Sequence, residues 1–451
     1  MSEPAARSLL KPGADPEISP ELQVYYADDK QLRRNIVWIL VMTIGWSISF
    51  TVVGPLMTLH LNACGAKETL FGTMGTINFW AYSFLVMYFS WKSDRTVTRF
   101  GRRIPYLFIC VPAIVLATFL FPFFTTLWIL VGLQLIQMFF TDMKAATIPL
   151  LNIDCIPRKK LARMGALMGI IGGLINFFVM RYGMKLAEHH DRAPFYICAV
   201  VALLTSGVAG FMIKETPVHA WVGVKDTFKP WSALKVGWRD KREILLMLGV
   251  GCAYGFFFIH NQWIWLFAQN VLHLTKTDMG GAISWGILIS MLISYPAGWI
   301  VDRFGSYIVI AIFWVLITIT FACALMMHNA AWLAAEAIMV QIASPFYWGI
   351  DILVYRSVHP KDIGSVTSSN SCLRGLIGGS AVGLSGLLIR FSGGNYRPAF
   401  IEGYVLVCLS LVFFTIHWCL KNRAPTGSKS ACFDRQNELS DGKSNEDKDD
   451  A

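Results

Sequence analysis

Twelve long apolar runs follow one another along this chain, separated by short polar connections. Each run meets the length of ~20 residues that a bilayer-spanning helix needs. A longer polar stretch after the sixth run divides the series into two sets of six. The pattern therefore predicts an all-α integral membrane protein with twelve transmembrane helices, near residues 36–60, 70–91, 104–122, 126–153, 164–186, 193–213, 243–270, 279–300, 307–327, 331–355, 370–390 and 398–420.

The same pattern predicts five regions. They are a polar N-terminal segment (1–35), a six-helix bundle (36–213), a central loop (214–242), a second six-helix bundle (243–420) and a charged tail (421–451) that we expect to be disordered. Two similar six-helix bundles are typical of carriers whose halves rock about a central site and expose it to each side in turn.

Composition excludes a soluble protein, because 55% of the residues are hydrophobic and only 15% are charged. The net charge of +10 does not indicate nucleic-acid binding, since the basic residues lie in short clusters between apolar runs. Thirty Lys and Arg residues fall in one set of alternate connections and four in the other. The positive-inside rule then predicts cytoplasmic termini in a plasma or bacterial inner membrane. Ten cysteines without paired spacing predict neither a metal site nor any other cofactor.

The connection after the second run is unusually basic. Within 92–103 it carries five cations around a glycine, and a proline follows, so this loop must lie at a membrane surface. A shorter copy occurs at 301–306, which indicates that the two halves are related. We expect charge pairs here to bias the carrier between its states, with contact to anionic lipid as the alternative. The candidate gating residues are Asp94, Arg95, Arg99, Gly101, Arg102, Arg103, Asp154, Asp302, Arg303 and Gly305.

These loop residues carry a family resemblance. Asp94-Arg95 with Gly101-Arg102-Arg103, and the copy Asp302–Gly305, resemble the loop motif of the major facilitator superfamily. The spacing between Asp94 and Gly101 is similar to that of the glycoside, pentoside and hexuronide cation symporters and the sucrose symporters. The resemblance implies a sugar symporter. In the melibiose-type members the second helix supplies acidic residues for the cation, but here residues 71–90 contain no carboxylate, which favours a proton over sodium.

Charged residues inside the apolar runs are the first candidates for a binding site, because each costs about 2.5–3.5 kcal/mol to insert. Asp142 and Lys144 lie near the middle of the fourth run. They are two residues apart, so they point in different directions along a helix, about 200° from each other. Arg181 in the fifth run is a candidate partner for Asp142. The alternative is a fixed charge pair that holds two helices together.

The seventh run contains His260, Asn261, Gln262 and Trp263 in succession. Hydrogen-bonding side chains beside aromatic rings suit a sugar, and interfacial residues facing water are the alternative. Glu336 is expected to be exposed near the outer surface. Further cavity-lining candidates are Trp46, Gln341, Tyr347, Trp348 and Asp351.

The sequence thus predicts a monomeric secondary transporter for a small polar solute, in contact with membrane lipid. A sugar or glycoside moved by proton symport is the leading hypothesis. An organic anion or other small polar solute, with Lys144 and Arg181 supplying complementary charge, is the first alternative, and a non-transporting receptor is the second. The chain contains no His-Glu-x-x-His, phosphate-binding glycine loop with Lys or nucleophile elbow, which argues against an enzyme.

Overall fold

A computed structural model of the protein describes residues 29–96, 98–156, 158–215, 238, 241–304, 306–356 and 363–422. The first 28 residues, most of the central loop and the tail beyond 422 lie outside this part. Twelve long helices occupy it, and the all-α prediction is confirmed. They are α1 (Asp29–Ala63), α2 (Glu68–Asp94), α3 (Ile104–Leu120), α4 (Leu127–Cys155), α5 (Arg158–His189), α6 (Ala193–Met212), α7 (Lys241–Asn270), α8 (Lys276–Phe304), α9 (Ser306–Met326), α10 (Ala330–Arg356), α11 (Ile363–Phe391) and α12 (Arg397–Asn422).

Eleven of these helices are long and apolar enough to cross a membrane. The remaining helix, α10, is 27 residues long. Several extend beyond the predicted apolar runs: α1 begins at Asp29 and α11 at Ile363. The extra turns carry polar residues, which can remain helical where a membrane helix emerges into the interface. Proline at the first turn starts α3 and α6, where its missing N–H costs no intrahelical hydrogen bond.

The first and last six helices meet mainly where α2 packs on α11 and α5 packs on α8. Along α2 and α11 the contact is close enough for side chains to bond to the opposite backbone. Thr76 Oγ1 donates to Gly379 O over 2.8 Å, and Ser83 Oγ donates to Cys372 O over 3.3 Å. Glycines on α11 permit this approach, because residues without a side chain allow two helix backbones to come close.

We expect Gly375→Ala to destabilise this packing. A Cβ at Gly375 would collide with Ser83 Oγ and lie 2.6 Å from Phe79 O, so the two helices would have to separate. Overpacking of this kind costs about 1–3 kcal/mol. A lowered thermal unfolding temperature of the purified protein would show the effect. Gly54→Ala is the matched control, since a Cβ there meets no described atom within 4 Å, and an equal loss in both variants would contradict the prediction.

Polar contacts join the two sets of helices at the ends remote from the basic loops. Asn62 Nδ2 of α1 donates to Gln269 Oε1 of α7 over 2.9 Å. Between α5 and α8, Lys276 Nζ lies 2.5 Å from Asp191 Oδ1, and the Thr277 N–H donates to Glu188 Oε2 over 2.9 Å. The α5 and α8 helices are therefore held together at this end.

Candidate functional site

Lys144 lies at the centre of the first six helices, where α4 faces α1. Its Nζ is 3.6 Å from the ring centroid of Trp46 and 4.3 Å from that of Phe50. Aromatic faces attract a cation, and the attraction grows when water is excluded. In the described part of the chain no carboxylate forms an ion pair with Lys144. Among the described residues, the site therefore presents a positive charge that aromatic rings stabilise and no carboxylate neutralises.

Asp142 lies on the same helix but faces a different way. Its side chain is buried, with 6% of the residue exposed, and Oδ2 has no hydrogen-bond partner among the described residues. The Tyr82 hydroxyl of α2 lies within electrostatic reach of Asp142 and of Arg374 on α11. The arrangement places a carboxyl group that can take up a proton at the junction of α2, α4 and α11.

Arg374 is a site residue that the sequence analysis missed. Its guanidinium carbon lies 3.7 Å from the ring centroid of Tyr254 on α7. Tyr254 in turn packs edge-on against Tyr347 of α10, with 3.8 Å between ring centroids. Arg374 lies inside the predicted run 370–390, but nothing in the sequence analysis singled it out. Its place within the 29-residue helix α11 was the missing signal.

The structure does not bring Arg181 to Asp142. The guanidinium of Arg181 lies over the Trp285 ring of α8, 5.5 Å from its centroid, and no ion pair links the arginine to Asp142. Arg181 therefore contributes to the contact between α5 and α8.

The four consecutive residues of the seventh run do not converge on one cavity. His260 Nε2 lies 2.8 Å from Glu336 Oε1 of α10, while Asn261 is exposed. Gln262 lies against Gly75 of α2, and the buried Trp263 donates from Nε1 to Ser385 Oγ of α11 over 2.6 Å. Successive residues on a helix are rotated by about 100°, so neighbours in sequence face different elements.

The expectation that Glu336 is exposed is wrong. Its side chain is completely buried and forms the contact with His260 that joins α7 to α10. The carboxylate lies within the first two turns of α10, a position that suggested the membrane surface. Packing by neighbouring helices covers it, which helix position alone does not indicate.

A cavity of about 1000 Å³ lies between α5, α8 and α10. Gln341, one of the predicted cavity residues, lines it together with Asn176 of α5, and none of the described lining residues is charged. Trp348 and Asp351 belong to α10, but their side chains lie outside the described residues. The cavity is at the end of the α5–α8 contact opposite to Lys276 and Asp191.

The basic loop between α2 and α3 forms a dense ionic cluster. Arg102 Nε lies 2.9 Å from Asp154 Oδ2 of α4, and Arg103 Nε lies 3.3 Å from the same oxygen. Arg103 also contacts Asp94 at the end of α2. These contacts all join parts of the first six helices, so the cluster braces the loop against its own bundle.

Glu215, just beyond α6, is a further residue that the sequence analysis missed. Its carboxylate accepts the backbone N–H groups of Arg102, Arg103 and Ile104 over 2.6, 2.8 and 2.7 Å. A carboxylate at this place satisfies unpaired N–H donors at the start of α3 and interacts favourably with the positive end of the helix dipole. Burial raises the pKa of the Glu215 carboxyl, and the three backbone donors oppose that shift.

The other arginines among the gating candidates lie over aromatic rings. Arg95 lies 4.5 Å from the Trp91 centroid, Arg99 lies 4.7 Å from that of Phe100, and Arg303 in the second half lies 5.2 Å from that of Trp299. The side chain of Asp302 and all of Gly305 lie outside the described residues.

Gly101→Val is expected to lower the maximal transport rate more than the substrate affinity. Gly101 has φ +114°, which disfavours any L side chain, and its Cβ would lie 2.6 Å from Glu215 Oε2. The strain costs about 1 kcal/mol or more and would loosen the brace that the loop makes with Glu215. Initial rates measured over a range of solute concentrations separate the two parameters. An unchanged maximal rate in a normally inserted variant would refute the role of the loop.

Comparison with known proteins identifies the architecture. The sequence profile described as Major Facilitator Superfamily matches residues 37–383. The crystal structure of the nucleoside transporter NupG superposes with a TM-score of 0.66 at 14% identity, covering 85% of this chain and 98% of that one. A bacterial homologue of the human lysosomal transporter Spinster, in an inward-facing and unoccupied conformation, superposes with a TM-score of 0.62 at 13% identity, covering 90% and 99%.

No protein of curated function matches this sequence significantly. The solved structures share the fold, but their sequence identities are too low to assign their substrates to this protein. The superfamily profile, in contrast, spans most of the chain and includes the basic loop and both sets of helices. The protein therefore belongs to the Major Facilitator Superfamily and is a multi-pass membrane transporter, not an enzyme.

Proposed function

We propose that the protein is a secondary transporter that moves a small organic anion together with a proton by alternating access. The observation that carries this proposal is Lys144, an intramembrane cation that two aromatic rings hold and that pairs with no carboxylate in the described structure. Charge in the membrane interior costs several kcal/mol and is retained where it has a task. An anionic solute would supply the missing counter-charge.

Asp142 supplies the coupling in this proposal. While the carboxyl is ionised, its buried charge opposes movement of the loaded site across the membrane, because a charge in the membrane interior is costly. A proton on Asp142 removes that opposition, so proton and anion cross together. No cofactor is needed, and the carboxylate-free stretch 71–90 of the second helix favours a proton over sodium.

The proposal includes a topology. Both termini and the basic loops are cytoplasmic in a plasma or bacterial inner membrane, supported by the asymmetric distribution of Lys and Arg. Residues 36–213 and 243–420 act as two bundles that rock in a monomer. With this orientation the cavity between α5 and α8 opens toward the cytoplasm, and the contacts of Asn62 and Lys276 close the outer side.

A neutral sugar or glycoside is the second candidate. One observation favours it, which is that Asn176 and Gln341 place amide groups from the two halves in one cavity, where none of the described lining residues is charged. Sugar hydroxyls are suited to such groups. Under this hypothesis Gln341→Ala would weaken binding, whereas neutralising Lys144 would not.

Uptake by proteoliposomes tests the proposal directly. Labelled carboxylates, sulfonates and neutral sugars would be offered with an imposed proton gradient, an imposed sodium gradient or neither. Concentrative uptake of an anion that an uncoupler stops is the expected result. Uptake of sugars alone, or uptake driven by sodium in the presence of the uncoupler, would reject the proposal.

A further inference from the structure

The cavity between α5, α8 and α10 is large for a small solute. Its volume of about 1000 Å³ lies at the upper end of pockets that enclose drug-sized ligands. Gly165 and Gly169 of α5 line one wall, Tyr295 and Trp299 of α8 line the other, and Gln341 of α10 closes the inner end. The lining on α5 runs from Gly165 to Asn176, about three helical turns, so a ligand that fills this space would be elongated along the helix.

Glycines line part of the cavity, so no side chain fills the space there. A Cβ built at Gly165, Gly169 or Gly298 would meet no described atom within 4 Å. Farther along the same two helices the packing is tight: a Cβ at Gly173 would lie 3.3 Å from Met291 Cβ, and one at Gly280 would lie 2.8 Å from Met180 O. The α5 and α8 helices therefore touch at one end and leave a cleft between them at the other, which we call the α5–α8 cleft.

The α5–α8 cleft offers few free groups to a polyol. Ser294 Oγ donates to Ser290 O over 2.6 Å, and Asn176 Oδ1 accepts from Thr51 of α1 over 2.6 Å. These bonds use the hydroxyl proton of Ser294 and one acceptor site of Asn176. The rest of the described lining is mostly apolar or lacks a side chain, so the cleft suits a hydrocarbon chain better than a row of hydroxyls.

The rim of the cleft is apolar and open. Ile170 of α5 is 55% exposed and Tyr295 of α8 is 85% exposed, and both belong to helices that can span a membrane. Exposed apolar side chains on such helices face lipid. An apolar chain can therefore enter the cleft from the bilayer without crossing water.

One stretch of α1 contacts both the wall of the cleft and Lys144, which is not itself among the described lining residues of the cleft. Thr51 Oγ1 donates a hydrogen bond to Asn176 in the cleft wall. The preceding residue, Phe50, has its ring centroid 4.3 Å from Lys144 Nζ. We propose that the transported anion is an amphiphile: its anionic head binds at Lys144 and its single apolar chain lies in the α5–α8 cleft. This inference rests on the proposed function, because the head group needs the charge of Lys144.

Binding of butyl to decyl sulfonates tests the inference. These probes share one permanently charged head and differ only in chain length. Isothermal titration would use the protein in lipid nanodiscs, with empty nanodiscs as the blank for partition into lipid. If the chain enters the cleft, affinity should rise about fourfold with each added methylene.

Substitutions in the cleft locate the chain. Gly169→Leu should fill the cleft and bring the affinity for decyl sulfonate down toward that for butyl sulfonate. Gly298→Leu, from the opposite wall, should do the same and guards against a folding defect in the first variant. Gly207→Leu on α6 is the control, since a Cβ there also meets no described atom within 4 Å but lies outside the cleft.

The outcomes separate this inference from the proposed function. Affinity that depends on Lys144 but not on chain length would overturn the inference alone and would indicate that bilayer lipid fills the cleft. An unchanged chain-length effect in both leucine variants would also overturn it. Sulfonates that bind equally well to Lys144→Gln and to the natural protein would reject the anion site itself.

Discussion

Asp142→Asn is expected to abolish concentrative uptake while leaving exchange of the solute across the membrane intact. An isolated carboxylate in the membrane interior is costly, so Asp142 would cross in its neutral form and release the proton when the carrier exposes it to water. Asparagine resembles the protonated carboxyl in shape but cannot release a proton. The variant would therefore carry solute in both directions without responding to the gradient.

Two assays on the same proteoliposomes distinguish these steps. Accumulation under an imposed proton gradient should fall to the equilibrium level, while counterflow of labelled solute against unlabelled solute should persist. Asp278→Asn is the matched control, because Asp278 is an exposed carboxylate at the start of α8. Gradient-driven accumulation by the Asp142 variant would show that the coupling proton binds elsewhere.

The pattern of long apolar runs was sufficient to predict the twelve helices, because the bilayer requires each span to be long, apolar and internally hydrogen-bonded. It also located Asp142 and Lys144, whose cost inside a span is evident without a structure. The sequence analysis treated residues 260–263 as one binding element. A helix, however, places neighbouring residues on different faces. Adjacency in sequence therefore gave little information on which of these side chains share a cavity.

Tertiary contacts account for the features that the sequence did not reveal. Glu336 has its partner His260 on a helix more than seventy residues earlier in the chain, and no local pattern joins the two. Glu215 lies in a polar stretch that periodicity assigns only to a connection, yet it caps α3. The glycines of α5 and α11 look alike in sequence. Gly375, Gly379, Gly383 and Gly386 of α11 are packed against α2, whereas Gly165 and Gly169 of α5 border open space.

Lys144→Gln is expected to weaken the binding of an anionic solute at least about thirtyfold, because removing one partner of a desolvated charge pair costs about 2–5 kcal/mol. Lys144→Arg should lose less, since the charge remains and a guanidinium also stacks on aromatic rings. Neutral sugars should bind to the glutamine variant as they do to the natural protein. Equilibrium binding measures this loss without depending on the rate of the transport cycle.

Lys185→Gln provides the matched control for charge, because Lys185 is an exposed cation on the same set of helices. Trp46→Leu adds a test of geometry, since it removes the ring nearest to Nζ while leaving the charge in place. Loss of a cation–π contact at a desolvated site costs about 2 kcal/mol or more. Because Lys144 keeps its charge for the anion, this variant should still weaken anion binding less than Lys144→Gln does. If Trp46→Leu is the more damaging of the two, the indole itself contacts the solute, and Lys144 would then serve to position that ring.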